Sequence, residues 1–335
     1  MMVNKALIRV LISGVILFSY SSAGEYQKLA QTGFQFLSVI SDARAAGMAG
    51  AMTTIEMGSS SLFFNPAGLA QLAHSIDVTA SSNRWLAGID HTNFSLAFNP
   101  FNNRYGVVGI SVQAVDYGEI QGTQEWGNDK GYIDTEIFNP TAYAAGIGYA
   151  KALSDMFSVG GQLKITDQHL GDFVVETERS DSLKMKHYEE KAIAFDFGTI
   201  FKTGFKSIIF GMAIRNFSNE VKYEESGFQL PLTFSLGLSA DLFDFLPSLK
   251  FGSHLYCSID AVHARSYPEY FNLGFEYQLT DLLAFRYGYL HNRDERSYSF
   301  GFGVNVFGAV FDYSYTPFPS PIFDDIQRFT IRFAL

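Results

Sequence analysis

Cysteine is almost missing from this chain of 335 residues: Cys257 is the sole example, so no internal disulfide can form. Proline is sparse, at nine residues, and no Pro/Ser-rich linker, sequence repeat or coiled-coil heptad divides the chain. Basic residues are outnumbered 24 to 34 by acidic ones, for a net charge of −10, which excludes the basic patches that nucleic-acid binding needs. Long apolar runs are also lacking. Beyond the N-terminus none reaches the roughly 18 residues that a membrane helix requires, and a mean hydropathy of +0.05 is too low for a helical membrane protein.

The chemistry of a catalytic centre is equally hard to find. The seven histidines, His74, His91, His169, His187, His254, His263 and His291, are scattered and show no metal spacing of the HExxH kind. Gly301-Phe302-Gly303 begins a glycine pattern but lies in a strand-like run with no following helix, so it does not read as a phosphate loop. Ser253 and His254, with Asp260 nearby, suggest a nucleophile and base, yet neighbours in a strand point to opposite faces. The expectation is a protein that is not an enzyme, with no catalytic residue, cofactor or metal.

What is abundant is alternation. Leu232, Phe234, Leu236, Leu238, Ala240 and Leu242 alternate with Thr233, Ser235, Gly237, Ser239 and Asp241. The runs 271–279 and 297–306 behave alike, and the last strand places Phe329, Ile331, Phe333 and Leu335 opposite Arg328, Thr330, Arg332 and Ala334. In these four runs one face is wholly apolar, and on the other only Ala334 is an exception. Period-2 patterning is the signature of strands. Runs of about 9–11 residues suit tilted membrane strands, and an outer face meeting lipid with a polar face meeting the lumen defines a transmembrane barrel. The 33 Phe and 18 Tyr suit interfacial girdles, and the 30 Gly suit turns and a crowded lumen. Cys257 falls on an apolar face with Leu255, Ile259 and Ala261 and reads as a small lipid-facing residue.

Fourteen strands are predicted: 76–82, 91–99, 105–116, 141–152, 155–167, 191–202, 206–217, 231–243, 249–261, 270–279, 282–291, 296–306, 309–315 and 327–335. Connections after even-numbered strands are short, and those after odd-numbered strands run longer, notably 117–140 and 168–190. That parity matches short periplasmic turns, long outer loops and an even strand number. The predicted fold is therefore an all-β, fourteen-stranded antiparallel transmembrane barrel.

The segment 1–23 reads as a secretory signal peptide. Lys5 and Arg9 form a basic region, Val10 to Phe18 an apolar core, and Ser21-Ser22-Ala23 a cleavage site. Export to a bacterial outer membrane follows. Residues 24–73 precede the barrel of 74–335 and do not alternate. Asp42 could cap a short helix from Ala43 to Thr53, weakened by Gly47 and Gly50. Glu56 to Ser61 suggests a turn, and Asn65-Pro66 a second short helix at Pro66. Small residues allow close packing, so this segment is expected to fold in or under the barrel as a hatch.

The stretches GFQFL at 33–37, DARAAGMAGA at 42–51 and FFNPAGLA at 63–70 together resemble the N-terminal signature of the PorV/PorQ family of outer-membrane proteins. NPAGLA is also similar to an element of the FadL family of hydrophobic-compound transporters. Both resemblances imply a fourteen-stranded FadL-like barrel with an N-terminal hatch, and they mark Asp42, Arg44, Gly47, Gly50, Asn65, Pro66 and Gly68 as its motif residues. The functional implications divide. PorV-like members take part in type IX secretion, receiving cargo with a C-terminal secretion domain and bringing it to a surface sortase or translocon. FadL-like members pass hydrophobic small molecules through a gap in the barrel wall after a hatch movement. The partners implied are outer-membrane lipid with secreted cargo proteins and other secretion components, or with hydrophobic small molecules.

The polar face carries Asp196, Asp241, Asp260, Glu276, Arg286, Asp312, Arg328 and Arg332. Facing the lumen spares the arginines the roughly 2–4 kcal/mol cost of mid-bilayer lipid. They could line a solute path, hold the hatch through its Asp42 or Glu56, or form internal salt bridges in a filled barrel. Gly237, Gly274, Gly288, Gly301 and Gly303 favour the last, because they leave room for interior material. In the outer loops, Trp126, Tyr132 and Phe173 are candidate partner-binding residues or a cover for the barrel mouth.

Overall fold

The computed structural model describes residues 32–101, 103–175, 184–223, 226–246, 253–292, 298–320 and 322–335. Residues 1–23, expected to be a signal peptide, lie outside the described residues, as does the start of the predicted strand 249–261. Fourteen strands close into an antiparallel barrel. Its wall consists of β1 (Ile76–Arg84), β2 (Asp90–Phe98), β3 (Val107–Asp116), β6 (Thr141–Ala152), β7 (Phe157–Val175), β8 (Lys184–Lys202), β9 (Ile209–Ser218), β12 (Thr233–Asp241), β13 (His254–Ala264), β14 (Tyr270–Gln278), β15 (Leu283–His291), β16 (Tyr298–Val306), β17 (Ala309–Thr316) and β18 (Ile326–Ala334). β1 pairs with β18, with Asp77 opposite Ala334 and Arg84 opposite Gln327, so the sheet has no free edge. Two small hairpins stand outside the wall: β4 (Ile120–Glu125) with β5 (Tyr132–Phe138), and β10 (Val221–Lys222) with β11 (Gly227–Phe228).

The barrel is inverted relative to a soluble protein. Phe94, Ile110, Ile147, Phe197, Ile259, Phe285, Phe302 and Phe329 are exposed on its outer surface, while Ser95, Asp196, Ser258, Asp260, Glu276, Arg286 and Arg328 are buried inside. Cys257 lies on the outward register beside Ile259. The predicted parity holds: β6–β7, β14–β15 and β16–β17 are joined by residues 153–156, 279–282 and 307–308.

Two segments expected as loops are built differently. Residues 117–140 contain the β4–β5 hairpin, and much of 168–190 continues β7 to Val175 and β8 from Lys184. Beyond the membrane both faces of a ribbon meet water, so the apolar/polar alternation that marks a wall strand disappears although the backbone pairing continues.

Residues 33–72 fill the lumen. Phe34, Phe36 and Leu37 pack against Val115, Ala142, Ala144, Ala194 and Leu230 near the outer mouth. Leu62, Leu69, Ala70 and Leu72 pack against Ala97, Val107 and Ala150 at the periplasmic end. Helix α1 (Ala43–Gly47) is capped by Asp42, whose carboxylate accepts from Ala45 N–H at 3.0 Å. It ends six residues short of the expected Thr53, because Ala49 and Gly50 adopt left-handed φ of 52° and 79° and Gly50 N–H returns to Ala45 carbonyl at 2.8 Å. Short 3-10 helices follow at Gly58–Phe63 and Pro66–Gln71, the second capped by the Asn65 side chain.

The wall admits this backbone only where it lacks side chains. A Cβ on Gly288 would fall 2.2 Å from Ala49 N, one on Gly160 2.5 Å from the Pro66 carbonyl carbon, and one on Gly274 2.8 Å from Met48. Gly301 meets Gly47 directly, whereas Gly303 makes room for the side chains of Asp312 and Arg286. Gly288→Val is therefore expected to expel α1 from its seat while leaving strand pairing possible. The heat-modifiable gel shift should persist, and a protease site should open within 43–52; unchanged protease protection would refute this packing.

Candidate functional site: the hatch anchor and the outer hairpins

The hatch is bound to the wall by a chain of buried charge. Arg44 on α1 reaches Glu276 on β14 through two hydrogen bonds, Nε to Oε2 at 2.8 Å and Nη2 to Oε1 at 2.7 Å. Arg286 on β15, directly opposite Glu276 in the register, donates from Nε to Oε2 and from Nη1 to Asp312 on β17 at 2.6 Å. Arg44 Nη1 also donates to the Glu56 carbonyl at 2.8 Å, closing the hatch on itself. Charge-assisted, forked contacts of this kind fix orientation as well as adding energy.

Other wall groups hold the hatch backbone. Asp260 accepts from Thr53 N–H and Oγ1 at 3.0 and 2.7 Å. Asp77 accepts from Ser59 N–H at 2.7 Å and from Arg332 at 2.6 Å. Arg328 donates to the Ile40 carbonyl at 2.7 Å, and Arg215 to the Phe63 carbonyl at 2.6 Å. Asn65 bridges hatch and wall, donating to the carbonyls of Thr53 at 2.7 Å and Thr199 at 3.1 Å. Gly68 lies against Ser61, where a Cβ would come within 2.6 Å of the hydroxyl.

The motif residues and the lumen charges are joined at several points. Arg328 holds the hatch through the Ile40 carbonyl, and Arg332 bonds Asp77 while lying within electrostatic reach of Glu56. In the forked contact on α1 the polarity is the reverse of the expected one. The hatch supplies the cation, Arg44, and the wall supplies the anion, Glu276. Asp42 is occupied by its own helix and by Ser60 Oγ at 3.2 Å. Asp77, Thr53 and Arg215 were not singled out in the sequence. Lumen parity with Thr79 and Ser81 would have flagged Asp77; nothing local marks Thr53. His254 contacts Asp241 at 2.6 Å and not Ser253.

Beside the hatch, a cavity of about 330 Å³ at the periplasmic end has a mixed lining, with Asp42, Arg44, Arg286, Asp312 and Arg332 beside Met57, Leu282 and Leu283. The apolar groove lies elsewhere, on the outer wall of β16 to β2, lined by Phe302, Val304, Phe311, Phe329, Ile331 and Ala80.

At the opposite mouth, Trp126 and Tyr132 stand on the β4–β5 hairpin with 56% and 45% of their surface exposed. Phe173 differs. Its ring sits 4.9 Å from that of Phe138 and 5.6 Å from that of Tyr188, joining the β7–β8 ribbon to the β4–β5 hairpin.

A closed fourteen-stranded barrel with an apolar exterior and an N-terminal hatch defines an outer-membrane protein of the FadL-like fold. The toluene transporter TbuX of Ralstonia pickettii superposes with a TM-score of 0.57 at 12% identity, covering 87% of this chain and 96% of that one. The toluene transporter TodX of Pseudomonas putida gives 0.55 at 10% identity, over 91% and 98% of the two chains. The CymD monoaromatic hydrocarbon channel gives 0.56 at 12% identity, over 88% and 97%. At such identities the likeness is one of fold. No curated protein sequence matches the chain. The family model described as type IX secretion system protein PorV matches residues 22–251, and the chain belongs to that family.

Glu276→Ala would leave Arg44 and Arg286 facing each other without their shared anion. Breaking a buried pair costs about 3–5 kcal/mol, so the unfolding midpoint of the purified barrel should fall. Arg44→Met, which removes the hatch's charge while filling similar space, should cost less. Equal midpoints for Glu276→Ala and the parent protein would show that this ion chain does not hold the hatch.

Proposed function

We propose that this protein binds exported proteins at its outer face and hands them on as a component of a type IX-like secretion apparatus. Family membership supports this reading. The observation that carries it is the filled lumen: the hatch spans the barrel from mouth to mouth, and charged side chains such as Arg44, Arg286, Asp312 and Arg332 project into the cavity beside it. Such an interior suits a rigid platform that presents loops. Exposed aromatic side chains on an ordered hairpin supply large contact area at low entropic cost, so Trp126 and Tyr132 form the proposed contact surface. Phe173 supports that surface from beneath.

The second reading is passive uptake of hydrophobic small molecules, suggested by the fold shared with the toluene transporters TbuX and TodX. It requires a greasy route between hatch and wall. The apolar groove, by contrast, lies on the lipid-facing side of the barrel. Residues 1–23 are read as a cleaved signal peptide, 24–73 as the hatch segment and 74–335 as the barrel. The chain is read as non-enzymatic.

Purification of the tagged protein from its native outer membrane in mild detergent, with mass spectrometry of proteins and lipophiles, tests the choice. Secreted proteins sharing a C-terminal domain should co-purify, and Trp126→Ala combined with Tyr132→Ala should reduce their recovery several-fold without altering barrel assembly. A lone barrel carrying stoichiometric lipophile would reverse the assignment.

A further inference from the structure

We propose that the β7–β8 ribbon carries a transition-metal site formed by His169, Asp172 and His187, of the class that takes Zn²⁺, Ni²⁺ or Cu²⁺. The first and last of the three residues are eighteen apart in sequence, and the hairpin brings all their ligand atoms within 4.8 Å of one another. No sequence spacing reveals them, because two come from one strand and the third from its partner.

A backbone irregularity makes the constellation. Pairing runs regularly to His169 opposite Glu189, then skips Leu170 and resumes with Gly171 opposite Tyr188 and Asp172 opposite His187. In an unbroken strand His169 and Asp172, three apart, would face opposite sides. The extra residue of the bulge restores them to one side, and Gly171 takes the φ of 127° at that step. His187 and Glu189, two apart on the facing strand, share that side as well.

The side-chain contacts suit an ion. His187 Nδ1 lies 2.7 Å from Asp172 Oδ1, and its Nε2 lies 2.9 Å from Glu189 Oε2. The His169 and His187 rings have centroids 4.8 Å apart, and His169 Nε2 is buried without a hydrogen-bond partner. Ligands around a tetrahedral zinc at about 2.0–2.1 Å stand roughly 3.3–3.5 Å from each other, so modest rotation of half-exposed side chains completes the geometry. Glu189 then occupies the outer position usual for such sites, a carboxylate holding the second ring nitrogen of a ligating histidine. Lys191 Nζ in turn holds Glu189 at 2.7 Å. Two imidazoles and one carboxylate select borderline transition metals over Ca²⁺ or Mg²⁺. The ion would clamp the two strands of the ribbon next to Phe173, which packs on the neighbouring β4–β5 hairpin.

The full chain, purified without a histidine tag and stripped with chelator, is titrated with Zn²⁺ by calorimetry and with Co²⁺ by visible absorption. One ion per chain should bind, with Co²⁺ bands of a low-coordinate nitrogen/oxygen site. His187→Ala and His169→Ala should each weaken binding at least about tenfold, and Glu189→Gln by about tenfold through its outer-shell role. His263→Ala removes a histidine paired with a single carboxylate, Glu269, and should leave binding unchanged. His187 and Asp172 are exposed, so His187→Ala should keep the heat-modifiable shift of a folded barrel even if His169→Ala does not. No saturable binding, or equal binding by the parent and His187→Ala, overturns the proposal.

Discussion

The ion chain Arg44–Glu276–Arg286–Asp312 sets the organisation of this protein, because it links the N-terminal segment that fills the described lumen to three different wall strands. A barrel of fourteen strands encloses more space than its own inward side chains fill, and the surplus here is taken up by polypeptide. Once a polar hatch occupies the lumen, the wall must supply partners for its backbone. Asp77, Asp260, Arg215 and Arg328 do so from four separate strands. Charges that would be costly toward lipid are inexpensive toward such a filling.

Close approach is the second requirement. Gly160, Gly274, Gly288 and Gly301 let hatch backbone lie against wall backbone, which shortens the reach that each polar side chain must span. Glycine placement and charge placement are thus parts of one solution. Neither would hold the hatch without the other: glycines alone give contact without direction, and charges alone cannot reach.

Outside the wall the physics changes. The β7–β8 ribbon and the β4–β5 hairpin have no lipid to face and no lumen to fill, so they are held by aromatic contacts such as Phe138 with Phe173 and by the charged face of His187, Glu189 and Lys191. These protruding elements are where a family of barrels sharing one wall can diverge in what it binds. The proposed recognition of exported proteins rests on this projecting outer surface together with the filled lumen.

Strand number, strand position and the inward or outward sense of each side chain were legible from the sequence. A lipid/lumen boundary imposes period 2 on each wall strand, and Leu232 to Leu242 or Phe329 to Leu335 can satisfy it in only one register. The hatch was legible as a segment, from its loss of alternation and from Asp42 and Asn65 at helix starts. Its anchoring was not. Arg44 and Glu276 are separated by 232 positions, and alternation says which way a charge points but not which partner it meets. The helix end at Gly47 and the bulge beside Gly171 depended on backbone packing, and the two outer hairpins lay where water on both faces erases the pattern. The sequence by itself determined the barrel, since a two-solvent boundary is a local constraint repeated along every strand. Only the tertiary structure decided how the barrel is filled and which residues of the outer ribbon meet, because those contacts join segments that no local rule connects.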